Sequence, residues 1–385
     1  MKLTLINDNR RAPVSNVPPL VRQILRVDFL QLIPMLFLLG LGLFYIYSTG
    51  HQVGGNPDIW KKQLFFVVLG LSIWLFLAYI DYKIWAQWAL IIYGVGVLSL
   101  VLVLLFGVER YGAKRWFSLF GLFSVQPSEF AKIATLILSA WVLSLRNFDM
   151  HNFKHFSGLV LITAIPFLLI YKEPDLGSSI IFLPILAAMV FVGKVRWKWI
   201  LITIVTVMIM IPGIYPFLRG YQKERILVFL DPSRDPTNKG WNSRQSQLAV
   251  GSGGPYGKGI GNSTQSTLGF LPKTVANSDF IFSVIAEETG FVGSAMVLLS
   301  YLLIILSAFR TAVVARDDFG KYIAIGIGVL IFIHSFVNIG MTIRMMPVTG
   351  LPLPLVSLGG SFIISTMISL GLLQSIYIRA GSEDD

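Results

Sequence analysis

Ten apolar runs dominate the sequence, near residues 29–48, 63–80, 86–108, 130–146, 157–171, 176–193, 197–218, 280–309, 322–343 and 360–378. A membrane span needs roughly 20 mostly apolar residues. In hydrocarbon the backbone must satisfy its own hydrogen bonds, so such runs fold as helices. The expected fold class is an all-α integral membrane protein with about ten transmembrane helices. The fifth and sixth runs are short and are separated only by Lys172-Glu173-Pro174-Asp175; merging them gives nine helices. Charged residues make up 13% of the chain, where soluble domains carry about 25%. No polar stretch is long enough for a second core, so the expected organisation is an N-terminal tail at 1–28 and a single polytopic domain at 29–385. The tail is not a cleavable leader, because no short apolar region with a small-residue cleavage site follows it.

The net charge is +11. Basic residues of polytopic proteins gather in short cytoplasmic loops, and some meet anionic headgroups, so nucleic-acid binding is not the reading. With the N-terminus inside, Lys83, Arg146, Lys154, Lys194, Arg310, Lys321 and Arg379 fall on the cytoplasmic side together with the basic tail. Both termini are then cytoplasmic, and one long outer loop at about 219–279 joins the seventh and eighth runs. Every even-numbered run starts at the outer face, where helix N-termini present free N–H groups and partial positive charge. The chain has no cysteine, which excludes disulfides, thiolate metal sites and a cysteine nucleophile. His51, His151, His155 and His334 show no metal-ligand spacing.

Polar residues collect at the outer ends of these runs. Tyr111 to Trp116, holding Lys114 and Arg115, precedes Gln126-Pro127-Ser128-Glu129-Phe130-Ala131-Lys132. Ser128 reads as the N-cap of the fourth helix, and Glu129 and Lys132 share a helix face. Asp175 reads as the N-cap of the sixth. The long loop holds Arg225 and a glycine-rich stretch, Gly251 to Gly261, which is a flexible linker or a cradle of N–H groups for an anion. It is not a Walker A loop, since Lys258 is followed by Gly259. Asp279 reads as the N-cap of the eighth helix or as a carboxylate at a dry boundary, where its pKa is easily tuned. Glu287 and Glu288 lie deeper; intramembrane acids are usually paired or functional, and the candidate partners are His334 and Arg344. The Pro- and Gly-rich stretch Arg344 to Ser361 is too apolar for an open loop, so it is expected to pack beside the site.

In this order, Gln126 to Lys132, Pro174-Asp175-Leu176-Gly177, Gln245 to Gly261, Ser278-Asp279-Phe280-Ile281-Phe282, Glu287-Glu288-Thr289-Gly290 and Pro347 to Ser361 resemble the SEDS family of peptidoglycan polymerases. The wording Val348-Thr349-Gly350-Leu351-Pro352-Leu353-Pro354 is similar to the elongation branch rather than the division branch. Asn277, Leu358 and Arg344 depart from the common pattern, where His, Tyr and Gly are frequent.

The resemblance implies the SEDS fold and a peptidoglycan glycosyltransferase of the bacterial cytoplasmic membrane. Its substrate would be lipid II, joined through the GlcNAc 4-hydroxyl to MurNAc C1 with loss of undecaprenyl diphosphate. It implies Asp279 as the catalytic base. Arg115 and Lys132, with Lys114 and Arg225 as weaker candidates, would hold diphosphate or donor. Glu129 and Asp175 would orient those cations or bind a divalent ion, Mg or Mn; no other cofactor is implied. A class B penicillin-binding protein (a transpeptidase) is the expected partner. The competing readings are a lipid II flippase, whose polar residues belong near the bilayer midplane, and a non-catalytic scaffold for the transpeptidase.

Overall fold

The computed structural model describes residues 26–51, 55–110, 113–119, 123–149, 152–193, 220–231, 234–235 and 239–380. In chain order its elements are α1 (Phe29–Gly50), α2 (Ile59–Tyr79), α3 (Lys83–Gln87), α4 (Ala89–Phe106), β1 (Val108–Arg110), β2 (Ala113–Leu119), β3 (Phe123–Val125), α5 (Pro127–Ser144), α6 (Phe153–Lys172), α7 (Leu176–Ile180), α8 (Phe182–Val192), α9 (Gly220–Leu230), α10 (Lys239–Ser252), α11 (Thr264–Thr267), α12 (Lys273–Ala276), α13 (Ile281–Val314), α14 (Asp318–Thr342) and α15 (Gly360–Ala380). Among the described residues, α1, α2, α4, α6, α13, α14 and α15 are long and apolar enough to span a membrane. The fourth run becomes α5, and the sixth becomes the shorter pair α7–α8. The fifth and sixth runs are therefore separate helices; the seventh, 197–218, lies outside the described residues.

Burial divides these helices. The spanning windows of α14 and α15 are 72% and 83% buried, against 22% for α4 and α6. Leu90, Val95, Leu105 and Phe106 on α4 face outward, as suits a surface solvated by lipid. The central α15 lies directly along α2: a Cβ on Gly371 would stand 3.1 Å from the Trp74 carbonyl oxygen. Small residues permit this approach where lipid gives helices no hydrophobic reason to associate.

The polar groups separate into two ends. At one, Asp28 caps α1 through the Leu30 N–H (2.9 Å) and pairs with Arg310 (2.7 Å). Asp317 accepts from Tyr82 (2.9 Å) and lies 3.8 Å from Lys83, and Arg379 donates to the carbonyls of Ala78 and Tyr79. Lys83, Arg310 and Arg379 are residues expected inside. The other end gathers the sheet, the 173–175 turn, the segments 220–231 and 239–280 and the stretch 344–360.

Two features of that end differ from the sequence expectation. Residues 108–110, 113–119 and 123–125 form a three-stranded antiparallel sheet in the order β1-β2-β3, pairing Glu109 with Lys114 and Phe117 with Val125. The long loop is not a linker: its described residues carry four helices, with α10 packed on α13 and α14.

The reason lies inside α13, which is broken at Gly290 (φ 66°, ψ −154°). A break in a membrane helix strands carbonyl and N–H groups that water cannot reach. The glycine-rich stretch supplies their partners: Lys258 N–H donates to Glu287 O and Gly259 N–H to Glu288 O (both 3.0 Å), while Phe291 N–H donates to Gly254 O (2.8 Å) and Val292 N–H to Pro255 O (3.1 Å). These glycines therefore complete a helix: the N–H groups of Gly253, Gly257 and Gly259 donate to backbone carbonyls, and that of Gly261 to the Glu288 carboxyl. Glu287 and Glu288 fasten the same contact. Glu287 accepts from Lys258 Nζ (2.6 Å) and Thr264 N–H (2.9 Å), and Glu288 from Gly261 N–H (3.0 Å). The expected partners His334 and Arg344 are engaged elsewhere, Arg344 with Gln247 at 3.5 Å.

Candidate functional site

Asp279 stands in the four-residue turn between α12 and α13. It is not the N-cap of the eighth run; Phe280 occupies that position, with no side-chain cap. The carboxyl is left for other contacts. Its backbone is held on two sides: the Asp279 carbonyl accepts from Asn338 Nδ2 (2.9 Å), and the Ser278 carbonyl accepts from Ser357 Oγ. Ser357 also accepts from Leu353 N–H (2.8 Å), so the Pro-Leu stretch packs against the Asp279 turn. Asn277 joins this seam: its side chain accepts from Thr49 on α1, and its carbonyl from Leu358 N–H at 2.9 Å. Two of the departures from the family pattern, Asn277 and Leu358, thus contact each other.

Burial raises the Asp279 carboxyl from 3.8 to about 6; the Ser278 hydroxyl and Arg225 pull it down, and Asp175 pushes it up. Arg225, from α9, donates to the Thr349 carbonyl at 2.9 Å. Thr349 O is also the atom that a Cβ on Gly177 would meet at 2.9 Å, so α7, α9 and the Pro-Leu stretch converge here.

Asp175 is the N-cap the sequence suggests, accepting from Ser178 N–H (3.1 Å) and Ser178 Oγ (3.0 Å). Gln126 donates to it at 3.2 Å, and Arg115 lies 3.6 Å away. Arg115 reaches across from β2 and also donates to the carbonyls of Glu173, at 2.9 Å, and Pro174. Lys114, next along the strand, is exposed. Asp279, Arg225, Asp175 and Arg115 are thus one electrostatic cluster.

Lys132 and Glu129 are not part of it. α5 begins at Pro127, with Gln126 as N-cap and proline in the first turn, where its missing N–H costs nothing. Ser128 is inside the helix, not its cap. That start turns Glu129 and Lys132 into the bundle, where both are almost fully buried. Lys132 Nζ lies 2.9 Å from Glu129 Oε1 and 3.0 Å from His334 Nε2. Removing one partner of such a pair typically costs 3–5 kcal/mol, because the other is left as a buried unpaired charge. Among the described residues no group of three or more His, Asp or Glu is placed to hold a metal ion. Glu129 and Asp175 lie in separate clusters, so this donor set does not fit a shared divalent ion.

Sequence reasoning did not single out Glu173, Asn338 or His334 as site residues. Glu173 is buried with both carboxyl oxygens unbonded. Burial and Asp175 push it up to about 9, against the pull of Arg115. Its folded-state pKa lies above the ordinary 4.5, so the native state holds a proton that the unfolded chain releases between these values. Stability falls as pH rises through that window. Thermal unfolding in detergent is expected to show a wild-type midpoint that drops from pH 5 to pH 8.5, with a shallower drop in Glu173→Gln. Equal slopes would mean that Glu173 ionises like an exposed acid. The signal available in the sequence was the acid immediately before Pro174-Asp175, at a helix end.

The FtsW/RodA/SpoVE family description, "Cell cycle protein", matches residues 26–380. The peptidoglycan glycosyltransferase MrdB of Escherichia coli K12 is 36% identical over 353 residues, 91% of this chain and 93% of that protein. A probable peptidoglycan glycosyltransferase FtsW of Geobacter metallireducens is 33% identical, covering 93% of this chain and 96% of that protein. Among solved structures, a chain of a peptidoglycan synthase complex superposes with a TM-score of 0.79 at 29% identity, covering 93% of this chain and 99% of that one. RodA of Thermus thermophilus superposes at 0.67 with 26% identity, covering 91% and 96%. With similarity along nearly the whole length and the same arrangement of helices, this membrane protein belongs to the FtsW/RodA/SpoVE (SEDS) family.

Proposed function

We propose that the chain is a peptidoglycan glycosyltransferase that polymerises lipid II at the outer face of the bacterial cytoplasmic membrane, with Asp279 as general base. The observation that carries the reading is the Asp279 carboxyl raised to about 6, in one electrostatic cluster with Arg225 and Asp175. A base works best with a pKa near the operating pH. Asp279 takes the proton of the acceptor GlcNAc 4-hydroxyl as its oxygen bonds to MurNAc C1. The bond from C1 to the diphosphate oxygen breaks, and undecaprenyl diphosphate leaves with the electron pair. Arg225 and Arg115 place positive charge where the leaving group gains negative charge. Lys114, exposed on β2, is available to the same anion. Lys132 and Glu129 support the site from within the bundle, and no step is routed through a metal.

The relatives named peptidoglycan glycosyltransferase support the reaction, and similarity to a rod shape determining protein together with the wording of residues 348–354 supports a role in cell elongation. The similar chain in a synthase complex that coordinates polymerization and crosslinking supports a class B penicillin-binding protein as partner. Purified protein given lipid II should yield glycan polymer on a gel, and turnover should halve near pH 6 as Asp279 protonates. No polymer, with or without the transpeptidase, would remove the reading. The buried charges of Glu129 and Lys132, together with buried Glu287 and Glu288 at the break in α13, suit a flippase; lipid II translocation in vesicles without polymer would favour it.

A further inference from the structure

α14 runs outward through the centre of the bundle and carries two polar side chains one turn apart, His334 and Asn338. Residues four apart lie on one face of a helix, one above the other. Both are almost completely buried. His334 Nε2 lies 3.0 Å from Lys132 Nζ, which also donates to Glu129. An ammonium has only donors, so Nε2 is the acceptor and the ring proton sits on Nδ1. One turn outward, Asn338 spends its Nδ2 group on two carbonyls, Asp279 O at 2.9 Å and Leu351 O at 2.7 Å. The same helix face therefore grips a buried ion pair below and both chain segments of the site above. Pro354 lines a small cavity with Lys132, Glu129 and His334, which brings the two levels into contact through the Pro-Leu stretch as well.

We propose that His334 and Asn338 are positioning residues for the glycosyltransferase: His334 anchors α14 on the Lys132–Glu129 pair, and Asn338 fixes the height and direction of Asp279. The proposal rests on the reading of Asp279 as the base. It gives the buried pair a function that needs no contact with substrate. Asp279 sits on irregular backbone and caps no helix; the Ser278 hydroxyl that contacts its carboxyl belongs to the same turn, so the aim of the carboxyl depends on what holds that turn through the Asp279 and Ser278 carbonyls. A misplacement of about 1 Å in a reacting group costs on the order of 10²-fold in rate.

The test uses the full-length protein in detergent or vesicles with lipid II. Asn338→Ala should lower kcat by about 10²-fold with little change in KM. Its acid limb should move below the wild-type midpoint, because a displaced carboxyl regains water. His334→Phe should lower kcat in the same sense. His334→Gln, whose amide oxygen accepts from Lys132, should restore most of it. A purely structural role would lower the melting temperature without moving the acid limb. A folded Asn338→Ala with wild-type kcat and an unmoved limb overturns the proposal. If Asn338→Ala does not fold, His334→Phe with the same kcat as His334→Gln overturns it. An active Asp279→Asn, or a wild type with no acid limb, removes the base assignment and this proposal with it. A normal wild-type limb unmoved in Asn338→Ala removes the positioning role alone.

Discussion

Asp279→Asn is expected to lower lipid II polymerisation by at least about 10²-fold, the lower end of what a positioned general base contributes. The replacement keeps the side chain's size and removes its ability to take a proton. It leaves the backbone contact untouched, because Asn338 holds the Asp279 carbonyl, not the carboxyl. Burial makes the native fold resist ionisation of this acid, which reaches only about 6. The neutral amide should therefore fold as well as wild type, or slightly better at pH 8. Gel analysis of glycan products measures the first outcome and thermal unfolding in detergent the second. Near-normal polymerisation by a folded variant would mean that another group takes the proton.

The largest structural effects are expected at the broken helix. Gly290 adopts φ 66° and ψ −154°, a region open essentially to glycine alone, where other residues pay on the order of 1–3 kcal/mol. A Cβ there would also stand 2.3 Å from the Gly257 nitrogen, and a Cβ on Gly257 would stand 2.1 Å from the Glu288 carbonyl oxygen. Neither neighbour is a side chain that can move aside. Gly290→Ala and Gly257→Ala should each destabilise by more than about 4 kcal/mol, the exceptional end of single substitutions, and appear as loss of folded protein on size exclusion. Gly40→Ala and Gly158→Ala, on α1 and α6, have nothing within 4 Å of the added carbon and should behave as wild type. Normal melting of Gly290→Ala would show that the loop does not complete the helix.

The helices were legible because a membrane enforces one rule on every apolar run. The boundaries of α1, α2, α4, α13, α14 and α15 fall within a few residues of the runs read from the sequence. The positions of capping groups were less legible. Ser128 and Asp279 both have cap-like side chains, but a proline at 127 starts α5 earlier, and a tight turn leaves Asp279 outside α13. Local signals of this kind yield to tertiary contacts. The partners of Glu287 and Glu288 were invisible for a related reason. Glycines that look like a linker in one dimension serve as close backbone contact in three, and they bring Lys258 to an acid twenty-nine residues away. The division of the six charged candidates other than Lys114 into an outer cluster and a buried pair was likewise not encoded in their spacing; it follows from the start of α5 at Pro127, which leaves Glu129 and Lys132 buried in the bundle.

The gathering of Arg225 and Arg115 around Asp279 and Asp175 has a consequence for timing. Two guanidinium groups face two carboxylates, so the resting cluster is close to electrically balanced and exerts little pull on passing anions. In the proposed reaction Asp279 accepts the sugar proton, so one negative charge would vanish and the surroundings would turn net cationic. In that reaction the swing would coincide with the departure of the phosphorylated lipid, so the attractive field would be switched on by the same proton movement that creates the need for it.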